Sequence, residues 1–172
     1  MTALRHLAAA ALVALLAAAA WSAEPARQIT PGQGIGSITL GAMLARATAV
    51  LGPYKSAAPL VEGPVRLREY RWYTNTAHDG APGTSGFAVT CLPDGRITQV
   101  SVRYLPAYAT AKNLHTSGPG GVRGSTLLGV QLAMGSPGTV TLGEAGMRKM
   151  EYGGIRFWID TSTQMVARID VF

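Results

Sequence analysis

One cysteine, three histidines and no run of like charge: this 172-residue chain holds little of the usual equipment of catalysis. Cys91 stands alone, so no intrachain disulfide can form and the fold must be held by packing. It closes an alternation, Phe87, Val89, Cys91, that puts it on one face of a strand as a small hydrophobe; a reactive thiol is the other reading. Apart from His6, the histidines are His78 and His115, and with one thiol and scattered carboxylates they form no metal-ligand spacing. Neither metal nor cofactor is expected. Gly118 to Thr126 has glycines before a helix start but lacks the lysine of a phosphate-binding loop, so it reads as linker and cap. The basic residues are scattered rather than run together, so a nucleic-acid tract is not indicated.

Long apolar stretches are also scarce. Leu7 to Ala20 is the single one, 14 residues against the roughly 20 that span a bilayer. Preceded by Arg5-His6 and followed by Ser22, Ala23 and the helix-breaking Glu24-Pro25, it reads as a cleaved secretory leader over residues 1–22. No cysteine follows it to carry lipid, and no transmembrane segment is expected after cleavage. The expected location is periplasmic or secreted. Without Arg5, 14 basic side chains face 9 acidic ones, a net charge of +5. That excess suits an anionic partner, a protein or an envelope polymer; simple surface bias is the alternative.

What the chain does have is the same pattern twice. Gly41 to Gly52 and Gly124 to Gly135 each run twelve residues from glycine to glycine with leucine fourth, 83 positions apart. Arg66-Leu67-Arg68-Glu69-Tyr70 answers Arg148-Lys149-Met150-Glu151-Tyr152, and Arg96 to Val102 answers Met165 to Val171. Leu40, Leu44, Ala47 and Leu51 lie at helical period, ended by Gly52-Pro53; Leu127, Val130 and Met134 do so in the second copy, with Ser125 or Thr126 as cap. Strands are predicted over Arg66–Tyr73, Phe87–Leu92, Arg96–Tyr104, Arg148–Tyr152, Ile155–Ile159 and Val166–Phe172. Apolar spacing of three and then two in the last strand of each copy predicts a bulge. The expected architecture is α+β: two repeated helix-plus-antiparallel-strands units, residues 23–104 and 122–172, forming one sheet with the helices on one side. Residues 105–121 are read as a flexible connector.

Gly34-Ile35-Gly36-Ser37-Ile38-Thr39-Leu40-Gly41, followed by a short helix ending Leu51-Gly52-Pro53, resembles the opening of small exported bacterial domains. These are the β-lactamase-inhibitor-like proteins and the SmpA/OmlA-type outer-membrane assembly lipoproteins. The resemblance implies two helix-plus-strands units around a curved sheet and a binding role, and it carries over no individual functional residue. The chain departs from the inhibitors in having no disulfide, and from the lipoproteins in having no lipidated cysteine.

The copies differ where the first holds 14 extra residues, between Tyr70 and Gly86. A loop on a rigid scaffold is a natural site for function. Arg68, Tyr70, Arg71, Trp72 and Tyr73 at its base have the composition of a binding hot spot, and His78 and Asp79 lie within it. These seven residues are the candidate binding site. The competing reading is an ordinary solvated loop with aromatics packed into the core. His78-Asp79 as a base and its orienting carboxylate would support hydrolysis, but adjacent residues rarely face each other and no nucleophile accompanies them. The function read from the sequence is thus a non-enzymatic exported binding protein using the sheet face and the 71–85 loop. A structural or assembly factor of the cell envelope is the alternative, and a hydrolase the third reading.

Overall fold

The computed structural model describes residues 27–62, 64–73, 85–118, 121–143 and 146–172. The leader, His78 and Asp79 lie outside them. The fold is mixed α+β, with twelve strands and two α-helices described. No described helix is long and apolar enough to cross a membrane.

Three short strands come first: β1 (Gln28–Thr30), β2 (Gly34–Ile35) and β3 (Ile38–Thr39). Helix α1 (Leu44–Leu51) then leads into β4 (Ser56–Glu62), β5 (Val65–Arg71), β6 (Gly86–Cys91) and β7 (Ile97–Arg103). After β8 (Ala109–Thr110), helix α2 (Leu127–Met134) leads into β9 (Thr139–Leu142), β10 (Met147–Tyr152), β11 (Ile155–Asp160) and β12 (Met165–Val171). Eight strands form one antiparallel sheet in the order β4-β5-β6-β7-β12-β11-β10-β9, so β7 and β12 meet at its centre. The expectation of a single sheet is corrected by a second one, β3-β2-β1-β8. Its strands are two or three residues long, too short for alternation to register in the sequence.

Each helix has eight residues, too few to persist alone in water. Burial of one stripe holds it: Leu44, Ala47 and Leu51 of α1, and Leu127, Val130 and Met134 of α2, pack on the same apolar cluster. Glycine with positive φ ends both, Gly52 donating to the Thr48 carbonyl and Gly135 to that of Gln131. At the start of α2 the Thr126 hydroxyl accepts from the Gly129 amide at 3.0 Å. Ser125 is engaged elsewhere, its hydroxyl accepting from the His115 amide at 3.0 Å.

The cluster under the helices takes alternate residues of the central strands: Phe87, Val89 and Cys91; Ile97, Val100 and Val102; Ile155, Phe157 and Ile159; Val166, Ile169 and Val171. Cys91 is fully buried, and burial, with a smaller effect from Asp94, pushes its thiol up to about 11. It is a core hydrophobe held protonated. The three-then-two spacing corresponds to real irregularities. Thr90 pairs with Gln99 and Cys91 with Ile97, leaving Thr98 extra; Trp158 pairs with Arg168 and Ile159 with Val166, leaving Ala167 extra. Each extra residue lets a strand keep its apolar residues inward on both sides of the bulge, which turns Gln99, Ser101 and Arg103, and likewise Arg168 and Asp170, to the face away from the helices.

The small sheet closes one side of the core with Ile29, Ile35 and Ile38, all essentially buried. It is pinned to the β10–β11 turn by the Gly32 amide donating to the Gly154 carbonyl at 2.9 Å. Gly154 has φ +73°, and a Cβ there would lie 2.5 Å from the Gly32 nitrogen, so glycine is required twice over. Residues 105–118, expected to be a flexible connector, are instead ordered into the core. Leu114 and Thr116 are buried, Tyr108 packs edge-on against Phe87 at 4.9 Å, and the Leu105 amide donates to Thr116 Oγ1 at 2.8 Å.

Candidate functional site

The sheet face away from the helices is open. Strand alternation delivers to it Glu69 and Arg71 from β5, Gln99, Ser101 and Arg103 from β7, Arg168 and Asp170 from β12, Arg156 and Trp158 from β11, and Lys149 and Glu151 from β10. Tyr73, just past β5, joins them. All of these but Ser101, Glu151 and Asp170 line a cleft of about 800 Å³, with Leu60 of β4 and Thr141 and Leu142 of β9. Both edge strands reach the same cleft, so the sheet curves around it.

Asp170 organises one side. It is fully buried, yet three groups converge on its carboxylate: Arg168 Nε at 2.5 Å, Trp158 Nε1 at 2.6 Å and Arg156 Nη1 at 3.5 Å. Arg168 also donates from Nη2 to Ser101 Oγ at 3.2 Å, and its guanidinium lies 5.2 Å from the Trp158 ring centre. Burial opposes the charge on Arg168, but Asp170, with Tyr73 and Glu69, more than compensates and raises its pKa. Arg156 reaches Glu151 at 3.0 Å and stacks over Phe172 at 4.7 Å, while Lys149 lies 4.0 Å from Glu151. The Trp158 ring packs against Gly143, where a Cβ would come within 2.5 Å of it, and against the small cluster of Tyr104, Met147 and Ala167.

On the other side, Arg71 Nε donates to the buried Glu69 carboxylate. Tyr73 is buried beside them, with Arg103 5.8 Å from its ring centre. Burial and the nearby Glu69 charge raise the Tyr73 pKa, although Arg168, Arg103 and Arg71 all pull it the other way. The phenol is neutral at ordinary pH and available as a hydrogen-bonding group.

The seven residues proposed from the sequence are therefore divided. Arg71 and Tyr73 line the cleft. Arg68, Tyr70 and Trp72 alternate to the opposite face: Tyr70 and Trp72 pack on the core with Tyr54, at 5.0 and 6.2 Å between ring centres, and Arg68 lies 6.0 Å from the Tyr70 ring. Trp72 Nε1 donates to the Gly52 carbonyl at 2.8 Å, tying the end of β5 to the end of α1. His78 and Asp79 lie outside the described residues. Sequence reasoning missed Arg103, Lys149, Arg156, Trp158, Arg168 and Asp170. For all but Lys149 the signal was a polar, charged or indole side chain at every second place in three strands, β7, β11 and β12, whose other places are largely apolar.

The cleft is lined largely by permanent cations, an amide, a phenol and an indole, groups that attract and orient anions through charge-assisted hydrogen bonds. No protein-family model matches the chain, and no curated protein matches it. Among solved structures it is similar to the crystal structure of the uncharacterized protein yfeY from Escherichia coli. The two are 12% identical with a TM-score of 0.47, over 81% of this chain and 96% of that one.

Proposed function

We propose that the protein is an exported, non-enzymatic binding protein, made of two helix-plus-strands units, that takes a protein or anionic envelope partner through its open sheet face and the 71–85 loop. The doubled construction is supported by two eight-residue helices that each lead four antiparallel strands, and by register shifts at matching places in β6–β7 and β11–β12. Export rests on the leader pattern at residues 1–22.

The single observation that carries the binding role is the gathering of Arg71, Arg103, Lys149, Arg156 and Arg168 around one cleft, with Tyr73 and Trp158 among them. Clustered cations in a concave surface focus the field and raise the local concentration of anions. In a mature Trp72→Phe protein, Trp158 is the sole tryptophan and reports on the cleft. Titration with acidic envelope extract is expected to change its emission saturably, with binding weakened at least about tenfold between about 0.05 and 0.5 M salt. No change, or binding indifferent to salt, would count against the cleft as the site.

A further inference from the structure

Helix α2 turns apolar side chains both ways. From Leu127 to Met134 its only polar side chain is Gln131, yet Val130 alone is fully buried. Leu128 and Leu132, one turn apart on the side away from the sheet, are 62% and 79% exposed. A helix that is apolar all round is ordinarily enclosed by protein or by lipid. Helix α1 repeats the arrangement more weakly, with Val50 on its outer side, Met43 at its N-cap and Tyr54 just past its end, all exposed. Both helices lie on one side of the large sheet, because both pack on the same apolar cluster.

Charge follows the same division. From Pro25 to Val61 and again from Leu105 to Gly143, the stretches that hold the helices, there is no aspartate or glutamate. The same stretches contain Arg27, Arg46, Lys55, Lys112 and Arg123. Arg46 is exposed on α1, three residues after Met43 and four before Val50. Lys112 is exposed at the end of α2, its Nζ donating to the Ala133 carbonyl at 2.5 Å. Neither enters an ion pair among the described residues. The turns that meet the helix starts do hold carboxylates, Asp94 and Asp160. Both are engaged locally, Asp94 by Arg96 Nε at 2.7 Å and Asp160 by the Ser162 amide at 2.7 Å.

We propose that the helix side docks on the surface of an anionic phospholipid bilayer. Leu128, Leu132, Met43 and Val50 enter the headgroup layer, and Arg46 and Lys112 meet lipid phosphates. Apolar side chains scattered singly over a surface need no explanation. Gathered on one side with cations and without anions, they match a bilayer, which offers negative headgroups above an apolar interior. The cleft, on the other face of the sheet, stays open to its own ligand.

The test is sedimentation of the mature protein with vesicles of phosphatidylcholine, alone or mixed with phosphatidylglycerol. Mixed vesicles should bind at least about tenfold more tightly, and about 0.5 M salt should remove the preference. Leu128→Ser combined with Leu132→Ser should weaken binding at least about tenfold, since two apolar side chains lose their lipid contact. Arg46→Gln should weaken it about fivefold. If the leucine variant fails to fold, Leu132→Trp decides. Lipid brominated along its acyl chains should quench that protein well beyond the unaltered one, whose Trp72 and Trp158 lie against the core and in the cleft. Absence of binding, equal binding to both kinds of vesicle, indifference to the leucines, or equal quenching would overturn the proposal. So would self-association of lipid-free protein that the leucine changes abolish, which would give this face to a second copy. None of these outcomes alters the response of Trp158 to a soluble acidic ligand, so the cleft reading is judged separately.

Discussion

Asp170→Ala is expected to destabilise the protein by about 3–5 kcal/mol, enough to move a urea midpoint by roughly 2 M. The carboxylate has no solvent exposure and receives Arg168, Arg156 and the Trp158 indole. Its removal leaves Arg168, 21% exposed, without its counter-ion, leaves Arg156 to Glu151 alone, and leaves the indole N–H without its acceptor. That is the costly way to break a buried pair. Replacing both sides is not: Asp170→Leu combined with Arg168→Met should recover most of the loss, because no uncompensated charge remains. Urea unfolding of the single and double variants checks both statements. A cost below about 1 kcal/mol for Asp170→Ala would mean that the network is solvated and Asp170 organises nothing.

Phe157→Ala is expected to cost about 3–5 kcal/mol, and Phe157→Leu less than about 1.5 kcal/mol. Phe157 is fully buried on the helix side of β11, in edge contact with Tyr152 at 5.9 Å. Its neighbours Arg156 and Trp158 face the cleft. Thermal unfolding of Phe157→Ala against Arg156→Ala tests the division of faces, since the former empties the core and the latter alters the cleft. Equal costs would contradict it.

The helices were legible because two independent signals coincided, leucine at the fourth place of each twelve-residue segment and a glycine that must adopt positive φ at its end. Six long strands were legible from alternation. β4 was not: Pro59 lies within Ser56–Glu62, and a proline reads as a break in a strand. It is tolerated because β4 is an edge, pairing with β5 alone in the large sheet, where a missing donor costs little and discourages edge-to-edge association. β9 is four exposed residues with too few turns of the pattern to register. Residues 105–118 looked like a linker because their order comes from contacts remote in sequence, such as the Ser117 amide donating to the Val166 carbonyl at 2.7 Å.

Much less of the candidate site could be read. Treating Arg68 to Tyr73 as one cluster ignored the strand beneath it, which sends successive side chains to opposite faces. The cleft arginines stand singly on four strands, and a charged residue at alternate positions ordinarily means a solvated face. The sequence carried the alternation of Arg156 and Trp158 with Ile155, Phe157 and Ile159. It could not carry the curvature that brings Leu60 and Leu142, from the two edges of the sheet, to one cleft.

Amide shift mapping of isotope-labelled protein during titration with its anionic ligand asks directly which surface is used. Perturbations should gather at Gln99, Ser101, Arg103, Arg156, Trp158 and Arg168, on the strands that build the cleft. Shifts confined to α1 and α2, or spread evenly over the surface, would contradict an open cationic face as the place of recognition.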